Sequence, residues 1–134
     1  MKNTKSENLK LFYFLKNISS LGDVRIRRIA EKYNNLRTLF SVDLLSLKSI
    51  EGITDKVCQE VEDAVNKSKG FEESYLKLLE YLDKSKITVT TLFDDDYPQN
   101  LKNIFDAPVL LFYYGNLNES DRYSISIVGT RTPS

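Results

Sequence analysis

The residues best suited to chemistry sit where Ser124-Ile125-Ser126-Ile127-Val128 runs into Gly129-Thr130-Arg131-Thr132-Pro133-Ser134. A strand that delivers a glycine turn exposes backbone N–H groups. With the Arg131 guanidinium and the hydroxyls of Thr130 and Ser134, these would cradle a phosphate. A structural turn with an exposed arginine is the plainer reading of the same residues. A second constellation lies nearer the start: Gly22 is followed by Arg25, Arg27 and Arg28, and Gly52 by Lys56. Each glycine stands between two helical patterns, in Ser20-Leu21-Gly22 and Gly52-Ile53-Thr54. Each reads as a helix-hairpin-helix turn, in which glycine permits the bend and the next helix offers N–H groups to a phosphate. Such contacts hold a nucleic acid backbone without reading its sequence.

Both constellations have departures. Ser20 and Thr54 each replace one of the two glycines expected in such a hairpin, and Asp23 and Asp55 would repel phosphate. Asp23 can instead favour its helix N-terminus as a cap. A tandem hairpin kept for packing or protein contact accounts for the same pattern. Asp94, Asp95 and Asp96 raise a metal hypothesis, since Asp94 and Asp96 share a face of an extended segment. No third ligand cluster accompanies them, so an acidic turn before Tyr97-Pro98 is expected, with no metal and no cofactor.

The chain has no His and one Cys, which removes a His-based triad, a His-ligated metal, a zinc ribbon and a disulfide framework. Cys58 reads as a small buried hydrophobe. No Ser, Cys or Lys has a recognisable base partner, so the chain is not expected to be an enzyme. At 134 residues, 41% hydrophobic and 28% charged, it has the composition of a soluble globular protein. The longest apolar runs, Leu11–Leu15 and Val109–Tyr114, are too short for a membrane span. No small-residue cleavage site follows the first, and a cytoplasmic location without membrane contact is expected. The zero net charge hides an asymmetry: residues 1–50 carry +6, while 51–90 and 91–134 carry −3 each. Arg25, Arg27, Arg28 and Lys32 are the centre of a candidate basic face, although solvated helix positions are the plainer reading of the same residues.

The elements that must position these groups fall into two regions. Leu11, Phe14, Leu15 and Ile18 follow one helix face; Ile26, Ile29, Ala30 and Tyr33 repeat it, and Leu36, Leu39 and Phe40 make a short third element. Ser41 is expected to cap a helix carrying Leu44, Leu45 and Leu47, and Thr54 one carrying Val57, Val61, Ala64 and Val65. Gly70 separates a longer helix with Phe71, Tyr75, Leu78, Leu79 and Leu82. From Ile87 the period changes to two: Ile87, Val89 and Thr91 alternate with Thr88 and Thr90. Pro98 suits a helix start, with Leu101, Ile104 and Phe105 as its apolar face. Val109–Tyr114 reads as a second strand ended by Gly115-Asn116, and Tyr123–Val128 as a third, central in a parallel sheet. The fold class is α+β by content: a helical bundle over 1–86, then over 87–134 the first strands of an incomplete α/β Rossmann-like domain.

Three stretches then carry a resemblance. They are Leu92-Phe93-Asp94-Asp95-Asp96-Tyr97-Pro98-Gln99-Asn100-Leu101, the segment from Ile104-Phe105-Asp106-Ala107-Pro108 to Gly115-Asn116-Leu117, and Ile127-Val128-Gly129-Thr130-Arg131. In order and spacing they resemble the DNA-processing protein A (DprA, or Smf) family. Gly22-Asp23-Val24-Arg25-Ile26-Arg27-Arg28-Ile29 is similar, more loosely, to the signature of that family's SAM-like, tandem helix-hairpin-helix domain. The resemblance implies a recombination mediator that binds single-stranded DNA and helps load RecA during natural transformation. It implies that Gly129, Thr130, Arg131 and Ser134 form one wall of a DNA pocket, with Arg131 on phosphate. Gly22, Arg25, Arg27, Arg28, Gly52 and Lys56 are the candidate hairpin contacts, and a homodimer is implied only for the full-length family protein. Two rivals stand beside this reading. One is a helical adaptor for a protein partner, and the other the start of a nucleotide-processing Rossmann enzyme such as a phosphoribohydrolase-like protein.

Overall fold

The first helix starts where the sequence supplies a reciprocal cap. Thr4 accepts a hydrogen bond from the Glu7 N–H, and the Glu7 carboxylate accepts one from the Thr4 N–H at 2.9 Å. That backbone bond also holds the Glu7 carboxyl below the usual range. The computed structural model describes residues 4–41 and 43–125. Its helices are α1 (Lys5–Lys16), α2 (Asp23–Lys32), α3 (Leu36–Phe40), α4 (Leu44–Lys48), α5 (Asp55–Asn66), α6 (Phe71–Lys84) and α7 (Gln99–Lys102). The strands are β1 (Thr88–Thr91) and β2 (Leu110–Tyr113), and 3-10 turns lie at Ser68–Gly70 and Glu119–Tyr123. Helices α1 to α6 precede the strand pair and short α7 lies between its two strands, so the fold is α+β.

α1 is the hub. It buries Asn8, Leu9, Leu11, Phe12, Phe14 and Leu15, more than one helix face, because α2, α3, α6 and both strands pack around it. Phe14 meets Phe71 and Phe40 edge-on with centroids 5.1 and 5.0 Å apart. α4 packs on α5, which buries Val57, Cys58 and Val61. One apolar core includes Leu11, Phe12 and Ile26 together with Leu92, Tyr97, Ala107 and Val109, so burial continues across residue 86.

Three local expectations are corrected. Asp43, not Ser41, caps α4: its carboxylate accepts from the Ser46 N–H at 2.7 Å. The Ser41 hydroxyl instead turns back onto α3 and donates to the Arg37 and Thr38 carbonyls. α7 ends at Lys102, which leaves Ile104 and Phe105 outside any helix and exposed. Tyr123 does not open a strand. Asn118 and Asp121 cap each other, and the resulting 3-10 turn carries the chain through Tyr123. Residues 126–128 of the expected third strand lie outside the described residues.

β1 and β2 pair antiparallel, with Thr88 opposite Tyr113 and Thr91 opposite Leu110. Burial along β1 does not alternate: Thr90 and Thr91 are both buried. The turn after β1 covers one of them, since the Thr90 hydroxyl donates to Asp96 at 2.6 Å. Below this end of the strand pair, Phe12 of α1 meets Phe93 with ring centroids 5.1 Å apart.

Candidate nucleic-acid interface

The two expected hairpins are built alike and lock onto each other. In the first, the Leu21 N–H bonds the Ile18 carbonyl at 3.0 Å; in the second, the Ile53 N–H bonds the Ile50 carbonyl at 3.1 Å. Leu21 and Ile53 are both buried. Their glycines differ. Gly52 has φ +82°, the left-handed region that a side chain resists, and a Cβ there would stand 3.0 Å from a guanidinium nitrogen of Arg28. Gly22 caps α2 in extended backbone, and a Cβ there would meet nothing within 4 Å. The first hairpin therefore does not need its glycine for conformation.

Arg25 and Arg28 reach from α2 to the second hairpin. Arg25 donates from Nε to the Gly52 carbonyl and from Nη1 to the Ser20 carbonyl, each at 2.9 Å. Arg28 donates to the Glu51 carbonyl at 2.8 Å and meets the Glu51 carboxylate at 3.2 Å. One turn further, the Lys32 ammonium donates to the Ser46 carbonyl and the Ser49 hydroxyl. These carbonyls lie at and just beyond the end of α4, where backbone acceptors lack helical partners and attract cations. Glu60 of α5 returns the grip by accepting from the Ser20 N–H at 3.3 Å, and its contacts with Ser20 hold its carboxyl below the usual range. The basic face of α2 thus serves largely as a clasp between hairpins.

Arg27 and Lys56 lie differently. Arg27 pairs with Glu31 on its own helix at 2.9 Å, and Lys56 stands at 4.0 Å from Glu60 and is well exposed. Asp55 does not stand alone against an incoming phosphate, since Lys48 pairs with it at 2.6 Å. Asp23 does not cap α2 with its side chain. One of its carboxylate oxygens accepts from the Val109 N–H at 3.0 Å, and the carboxylate also pairs with Lys16 at 3.0 Å.

The acidic turn is a docking knot. Buried Asp94 accepts from the Asn8 side-chain amide at 2.8 Å and from the Thr91 N–H at 2.9 Å. Asp96 accepts from Thr90 and from Lys5, each at 2.6 Å. Tyr97 is buried, and its hydroxyl donates to the Pro108 carbonyl at 2.7 Å. Asp94, Asp96 and Tyr97 are thus spent on joining α1, β1 and the entry to β2. Among the described residues no group of three His, Cys, Asp or Glu side chains is placed to hold a metal. Cys58 is buried, and burial pushes its thiol up.

One feature escaped the sequence. Val24, Arg27, Arg28 and Glu31 of α2 line a groove of about 450 Å³ together with Lys102, Asn103, Ile104 and Phe105. Phe105 is 77% exposed at its edge. Its spacing from Leu101 suggested an inward helical face, and only the early end of α7 turns it out. Gly129, Thr130, Arg131 and Ser134 lie outside the described residues. Among those described, no helix is long and apolar enough to cross a membrane.

A helical bundle of two clasped hairpins, with a strand pair docked on its first helix, defines an α+β protein. Residues 88–134 match the family model of DNA recombination-mediator protein A. The DNA processing protein DprA of Streptococcus pneumoniae is 48% identical over 44 residues, 33% of this chain and 16% of that protein. A Protein Smf of Synechocystis is 26% identical over 121 residues, 87% of this chain and 29% of that protein. A Protein Smf of Borreliella burgdorferi is 38% identical over 60 residues, 42% of this chain and 19% of that protein. These matches support the DprA/Smf family that the motifs suggest, with partial coverage on both sides. The chain spans less than a third of the length of these relatives. No solved structure matches.

Proposed function

We propose that this chain is part of a DNA recombination mediator that binds single-stranded DNA and assists RecA loading. The observation that carries the reading is the family match over residues 88–134, which takes in the Gly129-Thr130-Arg131 turn. In this reading residues 1–86 form a SAM-like helical domain, and residues 87–134 begin a Rossmann-like DNA-binding domain. Backbone N–H groups of the turn, the Thr130 and Ser134 hydroxyls and Arg131 hold phosphate, and catalysis has no part. The location is cytoplasmic.

Fluorescence anisotropy with a labelled single-stranded 20-mer and its duplex, at two salt concentrations, tests this. Tighter binding of the single strand, weakened by salt and by Arg131→Ala, is expected. Absence of binding, or binding unaffected by Arg131→Ala, rejects the turn as the phosphate site of this chain.

A second reading has its own support in the clasp. Arg25, Arg28 and Lys32 are engaged with backbone carbonyls, which favours the helical half as a scaffold or protein adaptor over a duplex-binding module. Binding that responds to Arg131→Ala but not to Lys56→Ala separates the two halves in this way.

A further inference from the structure

Beyond the terminal turn, the groove between α2 and the segment after α7 combines three features that belong together in single-strand recognition. Phe105 offers an aromatic face at 77% exposure, an arrangement that leaves a large apolar surface in water. Lys102 and Arg27 line the same groove, and so does Glu31. Arg27 spends its Nε on Glu31 and has no second acceptor among the described residues, and Lys102 has no ion-pair partner among them. An aromatic platform flanked by cations fits a nucleotide, because every base has a stacking face and every linkage a phosphate. A neutral apolar peptide would use the edge of Phe105 and Ile104 but would leave Lys102 without a counter-charge.

We propose that this groove takes one nucleotide of a single strand, its base stacked on Phe105 and its phosphate held by Arg27 and Lys102. The proposal rests on the single-strand reading above and adds a second contact remote in sequence from Arg131. Phosphate arriving at Arg27 must compete with Glu31, so Glu31 acts as a brake on the site.

The chain contains no Trp, so Phe105→Trp places a lone reporter on the platform. We expect a single-stranded oligothymidylate 20-mer to quench that tryptophan saturably, while an abasic 20-mer of equal charge does not. Phe105→Ala should weaken anisotropy-detected binding about fivefold to a hundredfold. Glu31→Gln should tighten it, an effect that a merely structural role for Glu31 would not produce. Binding of the 20-mer with no quenching and no response to Phe105→Ala overturns the groove while leaving the single-strand reading intact. No binding by the unaltered chain overturns both, and leaves Phe105 and Ile104 as an apolar contact for a protein. Phe105 is too exposed for its replacement to unfold the chain, so circular dichroism of the variants should match the parent.

Discussion

The Asp23 carboxylate, on the first turn of α2, accepts a hydrogen bond from the Val109 N–H across 86 residues of sequence. Val109 is fully buried, and the same carboxylate pairs with Lys16 of α1. Three elements therefore converge on one side chain. An aspartate that looked like an obstacle to phosphate is a joint between the helical half and the strands.

Asp23→Ala should cost about 1–3 kcal/mol, because it strands a buried backbone donor and unpairs Lys16. Urea denaturation measures the loss, and amide exchange at Val109 should accelerate more than at Ile29. Equal acceleration at both would show that the bond does not join these regions.

The clasp predicts a contrast between neighbouring arginines. Arg25→Ala removes two hydrogen bonds to carbonyls and should lower stability by about 1–2 kcal/mol. Arg27→Ala removes one exposed pair within a helix and should lower it by no more than about 0.5 kcal/mol. Thermal melts of the two variants side by side decide the matter.

Gly52 and Gly22 should respond differently to a side chain. Gly52→Ala forces a left-handed residue and crowds Arg28, for a loss of about 1–2 kcal/mol or more. Gly22→Ser places a good capping residue in open space and should hold or raise stability. A melting temperature lowered by Gly22→Ser would contradict the extended cap seen here.

The Lys5–Asp96 pair gives the fold an acid dependence. Burial raises the Asp96 carboxyl, but its bonds from Lys5 and Thr90 outweigh burial and leave it below the usual range. For Lys5, burial works downward and the Asp96 contact overcomes it, so the ammonium titrates above its ordinary value. Asp96 therefore contributes stability above the unfolded carboxyl pKa, about 3.9, and loses it as pH falls through its lower folded value. Lys5 contributes below about pH 10.4 and loses its part as pH rises beyond the raised folded value. Melting temperatures of Lys5→Met should depend less on pH in both windows than those of the parent, with a small effect because both groups are half exposed.

Helices α1 to α6 were legible because each carries apolar residues at helical spacing, and the Thr54 cap was readable because its hydroxyl reaches the Val57 N–H. The cap of α4 was misread because Ser41 and Asp43 are both good capping residues, and only the end of α3 decides between them. β1 was legible from its β-branched run, but its burial was not, since a period of two assumes one covered face and Thr90 is covered by the turn that follows. The candidate basic face was visible as residues and invisible as a clasp. Nothing local in Arg25 or Arg28 tells that Gly52 and Glu51 carbonyls lie within reach. Phe105 was misplaced for the opposite reason: helical spacing persists in the sequence after the helix has stopped.

The way α1 is covered has a consequence for synthesis on the ribosome. Its partners include residues 88–113, so a growing chain exposes Asn8 and Phe12 through the making of α2 to α6 and closes over them only when the strand pair and its turn emerge. The two hairpins, whose contacts are nearer in sequence, can assemble first. An arrest series should therefore show α1 open to protease and to chaperone capture at chain lengths where α2 and α5 are already protected.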